Sequence, residues 1–335
     1  MATMTKKERI NAVITGQPVD RIPISFWRHF YEKEDTARGL ADAMLSYQEN
    51  YDWDFMKVNP RASYHIEDCG NSFRFFKDGF TKPERLDYSI KKLSDLSRIK
   101  PLEPLKAPVL KEHIDALHYI SKGISKDVHY VMTIFTPLSI LGDMTETRNK
   151  LLEFIQEDPS LVKQAIEAIT QTFEKFTEQI LNVGISGLYY ATTYWGSYDR
   201  LTDTQFDELS RPYDLRILNL VKDCPFNVLH VCKSNNMLEK LADYPVHLLS
   251  WDATDPGNKK LWEGRELTGK PVAGGIDHIN VLPKGTKEDC LKQAEETAKK
   301  MGARGWLLAP GCTYSPETPS ANLKALREFA EDFKV

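Results

Sequence analysis

Three residues of this chain have the types that bind a soft metal: His230, Cys232 and Cys312. The first two lie in Asn227-Val228-Leu229-His230-Val231-Cys232, an apolar run that reads as a strand. Alternate residues of a strand share a face, so the His230 imidazole and the Cys232 thiol project side by side while Val231 points the other way. Cys312, directly after Gly311, supplies a second thiolate if the fold brings it near. Imidazole and thiolate are ligands that Zn²⁺ takes, and three protein ligands leave one tetrahedral position open, the composition of a catalytic rather than a structural site. The plain alternative is packing, because free cysteine is among the most buried residue types and a histidine at a strand end is commonly just hydrogen-bonded. Spacing alone leaves both readings open.

Reduced thiols are expected here. Five cysteines, an odd number widely spaced over 335 residues, do not form a disulfide framework. A net charge of −4 without long basic runs argues against a nucleic-acid partner. No apolar stretch is long enough to span a bilayer, and the N-terminus lacks the apolar core of a secretion signal, so the expectation is a cytoplasmic protein with no membrane contact.

The elements that must position these ligands alternate. Strand patterns cover 21–26, 53–58, 129–135, 187–191, 226–232, 246–251, 271–275 and 305–309. Helical spacing appears between them at 108–122, 147–156, 159–182, 203–222, 235–242, 258–267, 286–301 and 319–332. Residues 61–105 are less regular, and alternating aromatics there predict a hairpin or an elaborated loop. The strands are too continuously apolar for half-exposed antiparallel pairing, and strict alternation over this length predicts a parallel α/β fold. Closure as a (β/α)₈ TIM barrel accounts for more than an open sheet does, because the polar residues fall just after the strands. Arg28, Asn59, Thr136, Thr192, Thr193, His230, Cys232, Asp252, Asp277 and Cys312 would then converge on one rim. No repeat or linker divides the chain, so residues 1–335 read as a single domain.

Several stretches resemble a known family. The Asp-Arg-Ile-Pro start, Tyr194-Trp195-Gly196, Arg211-Pro212-Tyr213, and Pro310-Gly311-Cys312 through Pro316-Glu317-Thr318-Pro319 resemble the uroporphyrinogen decarboxylase superfamily over nearly the whole chain. The resemblance also implies a (β/α)₈ barrel. One branch of that superfamily, the heme-pathway decarboxylase, works without a metal. Against its pattern Arg28 matches the first of two carboxylate-binding arginines and Asp54 matches the catalytic aspartate. Glu32, however, stands in place of the second arginine, Tyr194 replaces a serine, and Cys312 replaces a histidine. The other branch resembles methylcobamide:coenzyme M methyltransferases, whose metal motif is met by His230, Cys232 and Cys312. That branch implies Zn²⁺, a methylcobalamin or other corrinoid cofactor carried by a partner protein, and a small methyl acceptor, a thiol by preference. No Asp-x-His-x-x-Gly corrinoid-binding signature occurs in this chain, so the corrinoid protein would be separate. The alternatives kept beside this reading are a metal-free decarboxylase of porphyrin biosynthesis and a non-catalytic protein that holds a tetrapyrrole or corrin.

Further candidates carry two readings each. Asp252 is expected either as a catalytic residue, a fourth ligand or orienter of His230, or as a helix N-cap. Arg28 either holds a carboxylate or sulfonate tail or pairs with Glu32 or Glu34. Asn59, Gly275 and Asp277 are expected to bind substrate at the rim, with a tight turn as the plainer role for Gly275. Tyr194 and Trp195 are expected either to stack on a corrin edge or to pack.

Overall fold

Threonine and proline mark where helices begin. Thr5, Thr36, Thr147, Thr202 and Thr286 each accept a backbone N–H in the first turn of the helix they precede. Pro108, Pro137 and Pro159 occupy the first turns of Pro108–Gly123, Pro137–Met144 and Pro159–Val183, where a missing N–H costs nothing. Pro137 thus both stops a strand, as expected, and starts a helix that sequence spacing had not indicated. In the other direction Pro212 breaks the expected helix 203–222 into Asp203–Leu209 and Arg211–Leu220, joined at Ser210. The segment 235–242 forms turns rather than a helix, beginning at Asn235 with φ of 48°.

In the computed structural model, which describes residues 3–333, nine strands form. They are β1 (Phe55–Val58), β2 (Ser72–Arg74), β3 (Glu84–Asp87), β4 (His129–Phe135), β5 (Gly187–Ala191), β6 (Val228–Val231), β7 (Leu248–Trp251), β8 (Val272–Ile276) and β9 (Trp306–Pro310). Strands β2 and β3 make the hairpin expected within 61–105. The other seven form one parallel, curled sheet in the order β1-β4-β5-β6-β7-β8-β9. The first predicted strand, 21–26, is not a regular ladder. Ile24 and Arg28 make isolated parallel bridges to Leu308 and Tyr314, and the Asp54 N–H donates to the Ile24 carbonyl at 2.9 Å. Residues 22–28 therefore touch both edges of the sheet.

Each strand of the sheet is buried on both faces, and the two faces feed two apolar clusters. The larger cluster lies between sheet and surrounding helices and includes Met56, Met132, Leu188, Leu229 and Leu249. The smaller one fills the inside of the curl with Phe55, Val131, Phe226, Val228, Leu248 and Leu307. Ile10 and Val13, from the helix Lys6–Ile14, belong to this inner cluster and plug its N-terminal end. The strands are thus packed solid at their starts and carry a cavity at their ends.

Asp54 belongs to the packed end. Its carboxylate is fully buried and accepts from Arg9 Nη1 at 2.7 Å, Arg21 Nη1 at 2.8 Å, Arg21 Nη2 at 2.9 Å and the Ile24 N–H at 2.8 Å. It immediately precedes β1, so it lies a strand's length from the ends where a site would form. The expectation that it acts in catalysis fails on that placement. Asp54 clamps the first helix and the 21–24 segment to the sheet.

Candidate metal centre and active site

Parallel pairing decides what surrounds His230. Registers of β5, β6 and β7 place Ala191 on one side and Ser250 on the other. The small Ala191 leaves room, and the Ser250 hydroxyl lies 3.3 Å from His230 Nδ1. On the opposite nitrogen, Nε2 is buried and has no partner among the described residues. A buried nitrogen without a partner costs free energy unless something fills its lone pair or takes its proton. Cys232 continues the same face two residues on, and Cys312 enters from the loop after β9. Its Sγ lies 4.0 Å from that of Cys232, and one ligand atom from each of the three residues lies within 4.8 Å of the others. Those separations match a tetrahedral zinc site with sulfur at about 2.3 Å and nitrogen at about 2.0 Å. The donor set and the unpartnered Nε2 both fit the ion. Either sulfur can donate to the other, and that contact holds the Cys312 thiol well below its ordinary range and the Cys232 thiol well above it.

Gly311 explains how Cys312 gets so close. A Cβ at that position would meet the Asp252 carboxylate at 2.6 Å, so any larger residue pushes the Cys312 loop away from β7. Strained backbone gathers beside the sulfurs: Thr193 and Lys233, neither a glycine, have φ of 45° and 73°. Such conformations cost of order 1–3 kcal/mol each and collect at functional sites.

A cavity of about 320 Å³ opens at the strand ends and is lined by His230, Cys232 and Cys312. Asn59 and Tyr194 also line it, as expected. Tyr194 is engaged by cations: the Arg148 guanidinium carbon lies 3.3 Å and Lys233 Nζ 4.3 Å from its ring centre. Hairpin residues Phe73 and Arg85 close one side, with Arg85 donating to the Asp143 carbonyl.

The remaining expectations do not meet at this cavity. Arg28 turns away into a separate cavity of about 510 Å³, where Nη1 donates to the Pro316 carbonyl at 3.0 Å. Its strand neighbours alternate, so His29 takes the inward position instead. Trp195 is buried against Gly142, where its size serves packing. At Gly275 a Cβ would strike Thr297 of the helix Lys287–Met301, so the glycine admits that helix rather than a ligand. Asp277 accepts from the Ile279 and Asn280 N–H groups and caps its own turn. Asp252 lies close by, but its Oδ1 accepts from the Thr254 N–H and hydroxyl, and its Oδ2 sits 3.6 Å from His278 Nδ1. Asp252 is therefore not the expected helix N-cap, since the next helix, Leu261–Thr268, has Lys260 at its N-cap; its oxygen caps the turn at Thr254 instead.

Residues that sequence reasoning passed over include Lys57, His65, Tyr189 and Ser250. Lys57 and Tyr189 sit inward on β1 and β5, and the signal was there: a lysine two residues before Asn59 in an otherwise apolar strand.

A family model described as uroporphyrinogen decarboxylase (URO-D) matches residues 5–333. The chain belongs to the URO-D family. Among URO-D relatives, a methylcobamide:CoM methyltransferase, MtbA of Methanosarcina mazei, is 22% identical over 361 residues and covers 100% of both chains. A uroporphyrinogen decarboxylase of Nostoc punctiforme is 24% identical over 245 residues, covering 71% of this chain and 67% of its own. The solved structure of a methyltransferase from Methanosarcina mazei superposes with a TM-score of 0.77 at 19% identity, covering 98% of this chain and 99% of that one. The URO-D relatives are enzymes of two chemistries, methyl transfer and decarboxylation. No helix among the described residues is long and apolar enough to cross a membrane.

Proposed function

We propose that this URO-D family member is a zinc-dependent methyltransferase that moves a methyl group from a methylated corrinoid protein to a small acceptor thiol. The observation that carries the reading is the convergence of His230 Nε2, unpartnered and buried, with the sulfurs of Cys232 and Cys312. The full-length relation to MtbA supports the corrinoid donor. Bonding of residues 22–28 to both edge strands supports a sheet closed as a (β/α)₈ barrel, whose active sites lie at this end.

Zn²⁺, when bound, would supply a Lewis acid that keeps an acceptor sulfur deprotonated at neutral pH, where a free thiol near pKa 8.5 is mostly protonated. The protein's part is positional. His230, Cys232 and Cys312 would hold the ion, with two thiolates balancing its charge. Ser250 fixes the ring of His230 so that Nε2 faces inward. Phe73 and Arg85 of the hairpin narrow access for water. A methylated corrinoid, when presented by its partner protein, would supply the methyl group and keep the electron pair of the bond that is broken, while the acceptor sulfur forms the new bond to carbon and its proton goes to solvent. A 320 Å³ cavity holds a small acceptor but not a corrin, so the methyl group must be presented at the mouth by a separate protein.

The experiment is demethylation of methylcobalamin, followed by its absorbance change, with a panel of thiols and protein of measured zinc content. Turnover that disappears in Cys232→Ala is the expected result. Conversion of uroporphyrinogen to coproporphyrinogen by metal-free protein would overturn the reading.

A further inference from the structure

Strand β1 is buried along its length, yet its third residue is a lysine. Lys57 alternates inward with Phe55 and Asn59, is 5% exposed, and lines the cavity that holds the metal triad. Its ammonium lies 4.6 Å from the Tyr189 ring centre and 5.9 Å from that of Trp27. Its hydrogen-bond partner among the described residues is the neutral side-chain oxygen of Asn59. Burial pushes the Lys57 ammonium down to about 7, opposed by Cys312 and Glu34. Packing does not call for this residue, since a methionine would fill the same stem space without burying a charge.

The atoms around it want an acceptor. Asn59 Nδ2 and Trp27 Nε1, both donors only, are buried without partners among the described residues. Lys57, Lys82, Arg85, Arg148 and Lys233 line the cavity against one acid, Asp143, which already faces His65 Nε2 at 3.1 Å. A deep ammonium among unpartnered donors, in a pocket with a cationic wall, is built for an anion.

We propose that Lys57 holds the negatively charged end of the methyl acceptor at the cavity floor, so that the acceptor enters charge first with its sulfur turned outward to His230, Cys232 and Cys312. This rests on the methyl-transfer reading. The Tyr189 ring, 4.6 Å from the ammonium, lies 5.6 Å from the His230 ring. A chain on the order of two to four carbons between anion and sulfur spans that interval. Lys57 thereby takes the role expected of Arg28, which faces another cavity.

The test compares 3-mercaptopropanoate, 2-mercaptoethanol and cysteamine, which have similar reach but negative, neutral and positive ends. Their binding is read by calorimetry and by tryptophan fluorescence, to which Trp27 beside Lys57 contributes, on the full chain with its zinc content measured. 3-Mercaptopropanoate should bind about 10- to 100-fold more tightly than 2-mercaptoethanol. Lys57→Met and Lys57→Gln should abolish that preference while keeping the metal and the affinity for 2-mercaptoethanol. Equal binding of the three thiols to the unaltered protein overturns the proposal even if neither variant folds, and so does a preference that survives in both variants. A Lys57-dependent preference without methylcobalamin turnover by any thiol would remove the methyl-transfer reading and leave the anion site standing. Turnover at equal rates with all three thiols would do the reverse.

Discussion

The sulfurs of Cys232 and Cys312 lie 4.0 Å apart although 80 residues separate them in sequence. Two thiols at that distance either hydrogen-bond to each other or share a cation. Protein purified without added metal is expected to carry about one zinc per chain, and Cys312→Ser to lose most of it. With roughly 10 kcal/mol or more in a thiolate zinc site, losing one ligand of three removes a large part of the affinity. Elemental analysis of the two proteins decides this, and an equal metal content in both would reject the triad.

Ser250 is the residue whose loss should matter without touching the metal. Its hydroxyl lies 3.3 Å from His230 Nδ1 and fixes which nitrogen faces the cavity. Ser250→Ala should weaken zinc binding about 10- to 100-fold, the usual cost of removing an outer partner of a ligating histidine. Competition with a fluorescent chelator measures it. An unchanged dissociation constant would show that packing against Tyr189 alone orients the ring.

Asp54 should behave as a structural residue. Replacing it by Ala leaves Arg9 paired with Asp20 and Arg21 with Glu331, but takes the acceptor from buried N–H groups of both arginines and of Ile24, a loss of about 1–3 kcal/mol for each donor left unmet. Urea unfolding should show that loss, while the zinc content of the remaining folded protein stays unchanged. A variant of normal stability that cannot bind metal or acceptor would return Asp54 to the active site.

Acid should destabilise the fold partly through His113. Burial first, and then the nearby Arg61, push its imidazole down to about 3 from an ordinary value of 6.5. Between those values the unfolded chain binds the proton and the folded one does not. Stability contributed by keeping this ring neutral is therefore present above about 6.5 and falls as pH drops toward 3, by about 1.4 kcal/mol per pH unit. In His113→Leu that share of the slope should vanish. Urea midpoints measured from pH 7 to pH 4.5 test this, and parallel curves for the two proteins would refute it.

Periodicity alone located most of the elements. The strands at 129–135 and 187–191 and the long helix from Pro159 are set by local patterns, apolar runs for one and 3.6-residue spacing for the other, so their bounds fall within a residue or two of expectation. The pairing of His230 with Cys232 was equally local, because side-chain alternation within one strand needs no knowledge of the fold. What lay beyond local reasoning was the direction each rim residue faces. Arg28 and Asn59 both follow strand patterns and both looked like rim residues, yet one turns into a side cavity and the other into the site. Asp252 and Asp277 have the right type and place, but their own turns use their oxygens. Cys312 joined that pair in the sequence only on the expectation of a common rim and on a family resemblance. Its approach depends on Gly311 passing against Asp252, a contact between segments about sixty residues apart. Lys57 was hidden for the same reason: a lysine in an apolar strand announces a buried charge, but only parallel register and the curl of the sheet reveal that it shares a cavity with His230, Cys232 and Cys312.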